Sequence, residues 1–270
     1  MKLIESAYNI ELNDNNKYLL EEIEEKYREY IKLLESFEEK TLKVHLGTLK
    51  SEEIRNNHKT ENIDPFRVIY HVSMNGKDSL TTLIDILYQK SKLSLDDIKK
   101  LHKILMEGTN KEFGAEDFRK SNKIFVGAYN PDGTRRIDYV PIDYLTIEEN
   151  MAKVLEIINS EKQDNIFINP FIIHGLIAAM QPFDDGNFRT ARLIQHGKIW
   201  TNTNMLYSKN FEKPTIYMSE NYWRARGDNR RLINQLAIEE NNEAWNAWFK
   251  HNFYMVGEQL DYLDGLIRKK

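Results

Sequence analysis

The chain of 270 residues contains no cysteine, which removes disulfides, thiolate nucleophiles, iron–sulfur clusters and thiolate-bound zinc in one step. It is also poor in turn formers: 12 glycines and 6 prolines fall well below the usual combined share of about 12%. That shortage disfavours a turn-rich all-β fold and predicts a mainly α-helical protein. No charge of one sign dominates, since 38 basic residues face 42 acidic ones for a formal net charge of −4. A dedicated duplex-DNA binder normally needs a strong basic excess, so none is expected. The opening residues MKLIESAYNIELND hold acids and no apolar run of signal-peptide length, and the expectation is a cytoplasmic protein. Residues 165–183 are uncharged over about the length of a membrane span. Asn165, Asn169, Pro170, His174, Gln181 and Pro182 interrupt them, so a buried core helix is expected rather than a membrane segment.

Local signatures of common chemistries are missing as well. The histidines, at positions 45, 58, 71, 102, 174, 196 and 251, never take the i, i+4 spacing with a nearby glutamate that a helical zinc site uses. There is no G-x-S-x-G, no G-x-x-x-x-G-K-[ST] and no G-x-G-x-x-G, so hydrolase, P-loop and dinucleotide-fold readings lack their motifs.

What is present is mostly helical periodicity. Between Asn16 and Phe37 the residues Leu20, Ile23, Tyr27, Tyr30, Leu34 and Phe37 recur at spacings of 3 and 4. That seam predicts a long amphipathic helix packing on its own domain, with a partner helix as the alternative. Helices are also predicted at SLTTLIDILYQKS, at SLDDIKKLHKILMEG with a Ser94/Asp97 capping box, and after Thr146, where Glu149 repeats the same start signal. Between the last two lies KIFVGAYNPDGTRRIDYVP, two short extended runs joined at Asn130-Pro131-Asp132-Gly133, read as a β-hairpin. A lone hairpin is unstable, so it must pack on the helices, either as a structural flap or with an edge free to pair with a peptide. The C-terminal third is again helical, with Trp245, Trp248, Phe249 and Phe253 on one aromatic face.

The remaining segment is QPFDDGNFRTARLIQHGKIW. Pro182 should end the apolar helix, Asp184-Asp185-Gly186 should turn, and Asn187 should cap a second helix. Arg189 and Arg192 then fall in or beside its first turn and a half, where the helix dipole disfavours cations. Either an anion such as phosphate neutralises them, with Asp185 sharing a magnesium ion, or Asp184 and Asp185 simply offset them.

Here the sequence resembles the Fic (Fido) family, whose motif is H-P-F-x-[DE]-G-N-G-R-x-x-R. The match runs Gln181, Pro182, Phe183, Asp184, Asp185, Gly186, Asn187, Phe188, Arg189 and then Arg192. His174, the hairpin, the preceding GAEDFRKSN and the later YMSENYW and WNAWF stretches look like the same layout. The resemblance implies a single, mainly α-helical Fic-like domain with a β-hairpin flap and N-terminal helices. It divides the chain into an N-terminal helical region, 1–90, a Fic-like core, 91–255, and a C-terminal helical tail, 256–270. It also implies transfer of AMP from ATP to a target hydroxyl, with Asp185 as the magnesium ligand, Gly186, Asn187, Phe188, Arg189 and Arg192 at the nucleotide, and a target protein at the flap, 125–141.

Three positions depart from that pattern. Gln181 replaces the catalytic histidine, and an amide cannot accept a proton near neutral pH. His174 lies seven helical residues, about 10 Å of rise, away. Phe188 replaces the second glycine, adding bulk where the backbone should approach a phosphate. Many members carry an inhibitory helix, [ST]-x-x-x-E-[GN], whose glutamate pairs with the last arginine of the motif. Ser51-Glu52-Glu53-Ile54-Arg55-Asn56, within a helix near 48–57, fits that pattern except that Arg55 would meet Arg192 with like charge. Three functions follow: a degenerate Fic protein that binds nucleotide or peptide but transfers AMP poorly, an active transferase with another base or phosphate-containing donor, and a helical scaffold. The oligomeric state stays open.

Overall fold

The computed structural model describes residues 2–59, 78–90, 92–109, 115–129, 132–160 and 165–268. Among these are eleven α-helices and one two-stranded antiparallel sheet. The first helices are α1 (Lys2–Tyr8), α2 (Asp14–Glu35), α3 (Glu39–Lys59), α4 (Ser79–Lys90) and α5 (Leu95–Met106). The hairpin β1 (Val126–Tyr129) and β2 (Arg135–Tyr139) follows, then α6 (Ile147–Ile158), α7 (Ile168–Met180) and α8 (Asn187–Leu206). The chain ends in α9 (Ser219–Arg224), α10 (Arg226–Glu239) and α11 (Asn242–Arg268). Asn130 and Pro131 of the predicted turn, and Gly114, lie outside the described residues.

The apolar helix expected within 165–183 is α7, buried at every position from Pro170 to Met180. It is apolar all round because α6, α8, α10 and α11 cover it on several sides. The aromatic face of α11 closes the bundle against it. Trp245, Trp248, Phe249 and Phe253 are fully buried, each such ring contributing about 1.5 to 3 kcal/mol over exposure. Gly175 makes the close approach possible, since a Cβ there would lie 2.9 Å from the Trp245 ring. Trp248 Nε1 donates to the Phe171 carbonyl at 2.9 Å, so the indole buries without an unmade bond. These rings are core, which removes the aromatic face as a scaffold surface.

The seam of α2 packs on α11 of the same chain rather than on a partner, with Ile23, Tyr27, Tyr30 and Leu34 buried. Asn13 caps this helix by accepting from the Asn16 amide at 2.9 Å. Phe37 falls beyond its end. The Ser94/Asp97 capping box forms as expected. Thr146 does not: its hydroxyl donates back to the Asp143 carbonyl at 2.8 Å, because residues 144–146 form a 3₁₀ turn that runs into α6.

The hairpin pairs Gly127 with Ile137, Ala128 with Arg136 and Tyr129 with Arg135, with an irregularity beside Val126. It leans on α10, where Asn234 Nδ2 donates to Asp138 Oδ2 at 3.1 Å and Arg230 donates to the Gly127 carbonyl. Tyr139 is its buried anchor, with its hydroxyl 3.3 Å from the Ala178 carbonyl of α7.

Candidate active-site cleft

The motif is a loop between the end of α7 and the start of α8. Gln181 ends α7 in the left-handed region, φ 51°, and Pro182 after it disfavours continuation of the helix. Its amide is engaged at both ends: Nε2 donates to the Ala178 carbonyl at 2.5 Å and Oε1 accepts from Asn187 Nδ2 at 2.9 Å. Asn187 is not the cap expected from sequence. Gly186 caps α8, and Asn187 as first residue clips the turn, accepting from the Phe183 amide at 2.8 Å and donating to its carbonyl at 2.9 Å.

Gly186 has φ 73°, and a Cβ there would lie 2.6 Å from Met106 Sδ and 3.0 Å from His102 Cε1. Only glycine suits both the backbone and the space. No side chain caps α8, so its first N–H groups lack a side-chain acceptor, an arrangement that suits an anion. Asp185 stands exposed beside them, its Oδ1 accepting from the Gly186 amide at 2.6 Å and lying 3.8 Å from Arg189 Nη2. Arg189 is only 1% exposed.

Two buried residues that sequence reasoning did not single out shape this loop. Arg119, 3% exposed, donates from Nε to the Gln181 carbonyl at 2.8 Å and from Nη1 to the Ser121 carbonyl at 2.9 Å and Asn122 Oδ1 at 3.1 Å. Its Nη2 donates to the Ile142 carbonyl, and its amide donates to the Pro182 carbonyl at 2.9 Å. One guanidinium thus ties the motif to both ends of the flap. His102 stacks on Phe183 with ring centroids 3.6 Å apart, and its Nδ1 lies 2.9 Å from Thr190 Oγ1. The Thr190 hydroxyl donates to the Gly186 carbonyl, so the histidine carries its proton on Nδ1. Burial, and then the nearby Arg189 charge, push its pKa down to about 3. The stretch GAEDFRKSN contained Arg119, but nothing in local spacing separates a buried arginine from a surface one.

Beside the loop opens a cavity of about 500 Å³, bounded by the flap, α7, α8 and α10. Gln181, Phe188 and Arg192 line it, together with Tyr222, Arg226 and Arg230. Asp185, Gly186 and Arg189 do not line it. His174 also lines it but is held at Nδ1 by Gln195 Oε1 at 2.5 Å, and burial, with the Arg192 charge second, lowers its pKa to about 3.

The like-charge meeting of Arg55 with Arg192 does not occur. Arg55 is exposed and lines a different cavity, whereas Arg192 Nε donates to Asn57 Oδ1 at 2.8 Å. Two residues of helix turn the chain by about 200°, which takes Asn57 to the core side when Arg55 faces water. Ser51 is exposed as well, and Asn56 lines the cavity that holds Arg55. Glu53, also on α3, is buried, accepting from Ser219 Oγ at 2.5 Å and lying 3.3 Å from His196 Nδ1.

A helix–loop–helix motif under a hairpin flap, with a glycine-capped helix start and arginines around a cavity, defines a Fic-type fold. Residues 92–196 match the Fic/DOC family model. It is similar to a Fic family protein from Desulfovibrio desulfuricans G20, at 17% identity and TM-score 0.65, covering 96% of this chain and 76% of that one. It is also similar to a Fic-1 fragment from C. elegans, at 14% identity and TM-score 0.63, covering 94% and 73%. No curated protein matches the sequence. No described helix is long and apolar enough to cross a membrane.

Proposed function

We propose that the protein is a Fic-type nucleotide-binding protein that transfers AMP poorly or not at all. The observation that carries this reading is the state of Gln181: at the position of the family's base stands an amide whose two ends are both engaged within the motif. Neither nearby histidine compensates, since His102 and His174 sit in buried surroundings that disfavour their protonated forms and make both weak bases. A general base should have a pKa near the working pH and a lone pair free to reach the substrate.

The residues still suit a phosphate-bearing ligand. Arg192, Arg226 and Arg230 line the cavity without a carboxylate among the lining residues, and the uncapped start of α8 favours an anion. Asp185 is exposed and, with the phosphates, would hold magnesium, which supplies charge neutralisation of the phosphate oxygens. Phe188 narrows the same cavity, so affinity should be modest.

The test has two arms. Calorimetric titration with ATP and magnesium should show binding that Arg192→Ala weakens, while labelled ATP gives little or no incorporation into protein. Gln181→His together with Phe188→Gly should restore transfer, because the left-handed conformation at 181 suits histidine and removal of the ring opens the cavity. Robust incorporation by the wild-type chain would refute the loss of activity, and absence of ATP binding would refute the nucleotide site.

A further inference from the structure

The C-terminal half of α3 meets the core through polar groups. From Lys50 to Asn57 the buried residues are Glu53 and Asn57, 5% and 6% exposed and one helical turn apart. They face two residues of α8 that are also one turn apart, in the reverse order. Glu53 Oε1 lies 3.3 Å from His196 Nδ1. Asn57 Oδ1 accepts from Arg192 Nε at 2.8 Å, and the Asn57 carbonyl accepts from Arg192 Nη2 at 3.3 Å. Two buried polar rungs thus join α3 and α8 antiparallel.

The first rung fixes a direction. His196 Nε2 accepts from the Met218 amide at 3.0 Å, so the neutral ring carries its proton on Nδ1, toward Glu53. Glu53 also accepts from the Ser219 hydroxyl at 2.5 Å and from the Ser219 amide at 3.3 Å, at the first residue of α9. Farther along that helix, Tyr222 lines the cleft. One carboxylate therefore sets α3 against both α8 and α9. Hydrogen bonds are directional where apolar contact is not, so these bonds set the roll of α3 and, with it, which residue meets Arg192.

The second rung touches the cleft itself. Arg192 is 3% exposed and lines the cavity. Asn57 offers it neutral oxygens, so this contact orients the guanidinium without cancelling its charge, as a carboxylate would. A guanidinium already aimed grips phosphate through its planar fork, whereas an unaimed one must be ordered first, at a cost in affinity.

We infer, on the reading of the cleft as a phosphate site, that α3 is a supporting wall of that site: Asn57 is a positioning residue for Arg192, and Glu53 holds the roll that presents it. Loss of the contact lowers affinity for nucleotide rather than raising it.

Titration calorimetry of the full chain with ATP and magnesium, beside thermal melting, tests this. Asn57→Ala should weaken ATP binding about tenfold. Asn57→Asp keeps the acceptor but adds a charge, so it should weaken ATP at least as much while the melting temperature holds or rises. A residue with a merely structural role would not separate affinity from stability in that way. Glu53→Ala should also weaken ATP binding, and Glu53→Gln, which retains an acceptor for Ser219, should recover most of the loss. Arg55→Ala, on the exposed face of the same turns, should leave affinity unaltered. If the wild type binds ATP and Asn57→Ala binds it equally or more tightly, the positioning role alone is overturned. No ATP binding by the wild type overturns the cleft reading and the role of α3 together.

Discussion

Arg119→Met removes the guanidinium that joins the motif loop to the flap while keeping most of the buried aliphatic stem. Three carbonyls, of Gln181, Ser121 and Ile142, lose a charged donor. Hydrogen bonds to charged groups contribute about 1.5 to 3 kcal/mol each, but three cannot simply be added. Burial works against the Arg119 charge, with Asp184 and Asp143 opposing that penalty, and removing the charge relieves it. The net loss should resemble that of breaking a buried ionic contact, about 3 to 5 kcal/mol, or a melting temperature lower by roughly 6 to 15 °C for a chain of this size. Arg119→Lys keeps the charge without the planar fork, so it should recover less than half of the loss. Urea unfolding of the three proteins measures this, and ATP titration should show the nucleotide weakened along with the loop. A cost below about 1 kcal/mol for the methionine variant, or a lysine variant as stable as wild type, would refute the clamp.

Stability should also fall in acid through two histidines. His102 and His174 have pKa values of about 3 in the fold against about 6.5 unfolded, so the unfolded chain binds the protons. Their contribution is therefore complete above about pH 6.5 and is lost as pH falls toward 3, by up to about 1.4 kcal/mol per pH unit for each. Chemical unfolding at a series of pH values should show that slope halved when either residue is replaced by glutamine. Gly186→Ala should cost about 1 to 3 kcal/mol, from its positive φ and from the contacts with Met106 and His102, read by thermal melting. In the rescued Gln181→His, Phe188→Gly protein, Asn57→Glu should suppress transfer by pairing with Arg192, whereas Arg55→Glu should not; equal suppression by both would mean that α3 can rotate.

Helical class, the hairpin among helices, the apolar core helix and the motif itself were readable from composition, period and spacing, because each depends on residues near in sequence. The seam of α2, the capping box at Ser94 and the glycine at 186 are local in this sense. The tertiary structure decided what local pattern leaves open. It decided that the aromatic face is core, since the helices packed around it, α7 among them, exclude water. It selected Asn57 rather than Arg55 to meet Arg192, because the roll of a helix against its neighbours is set by every contact along it. It joined Arg119 to Gln181 across 62 positions. No window of sequence contains such a contact, and the energy that fixes it comes from excluding water around groups that meet only when the bundle closes.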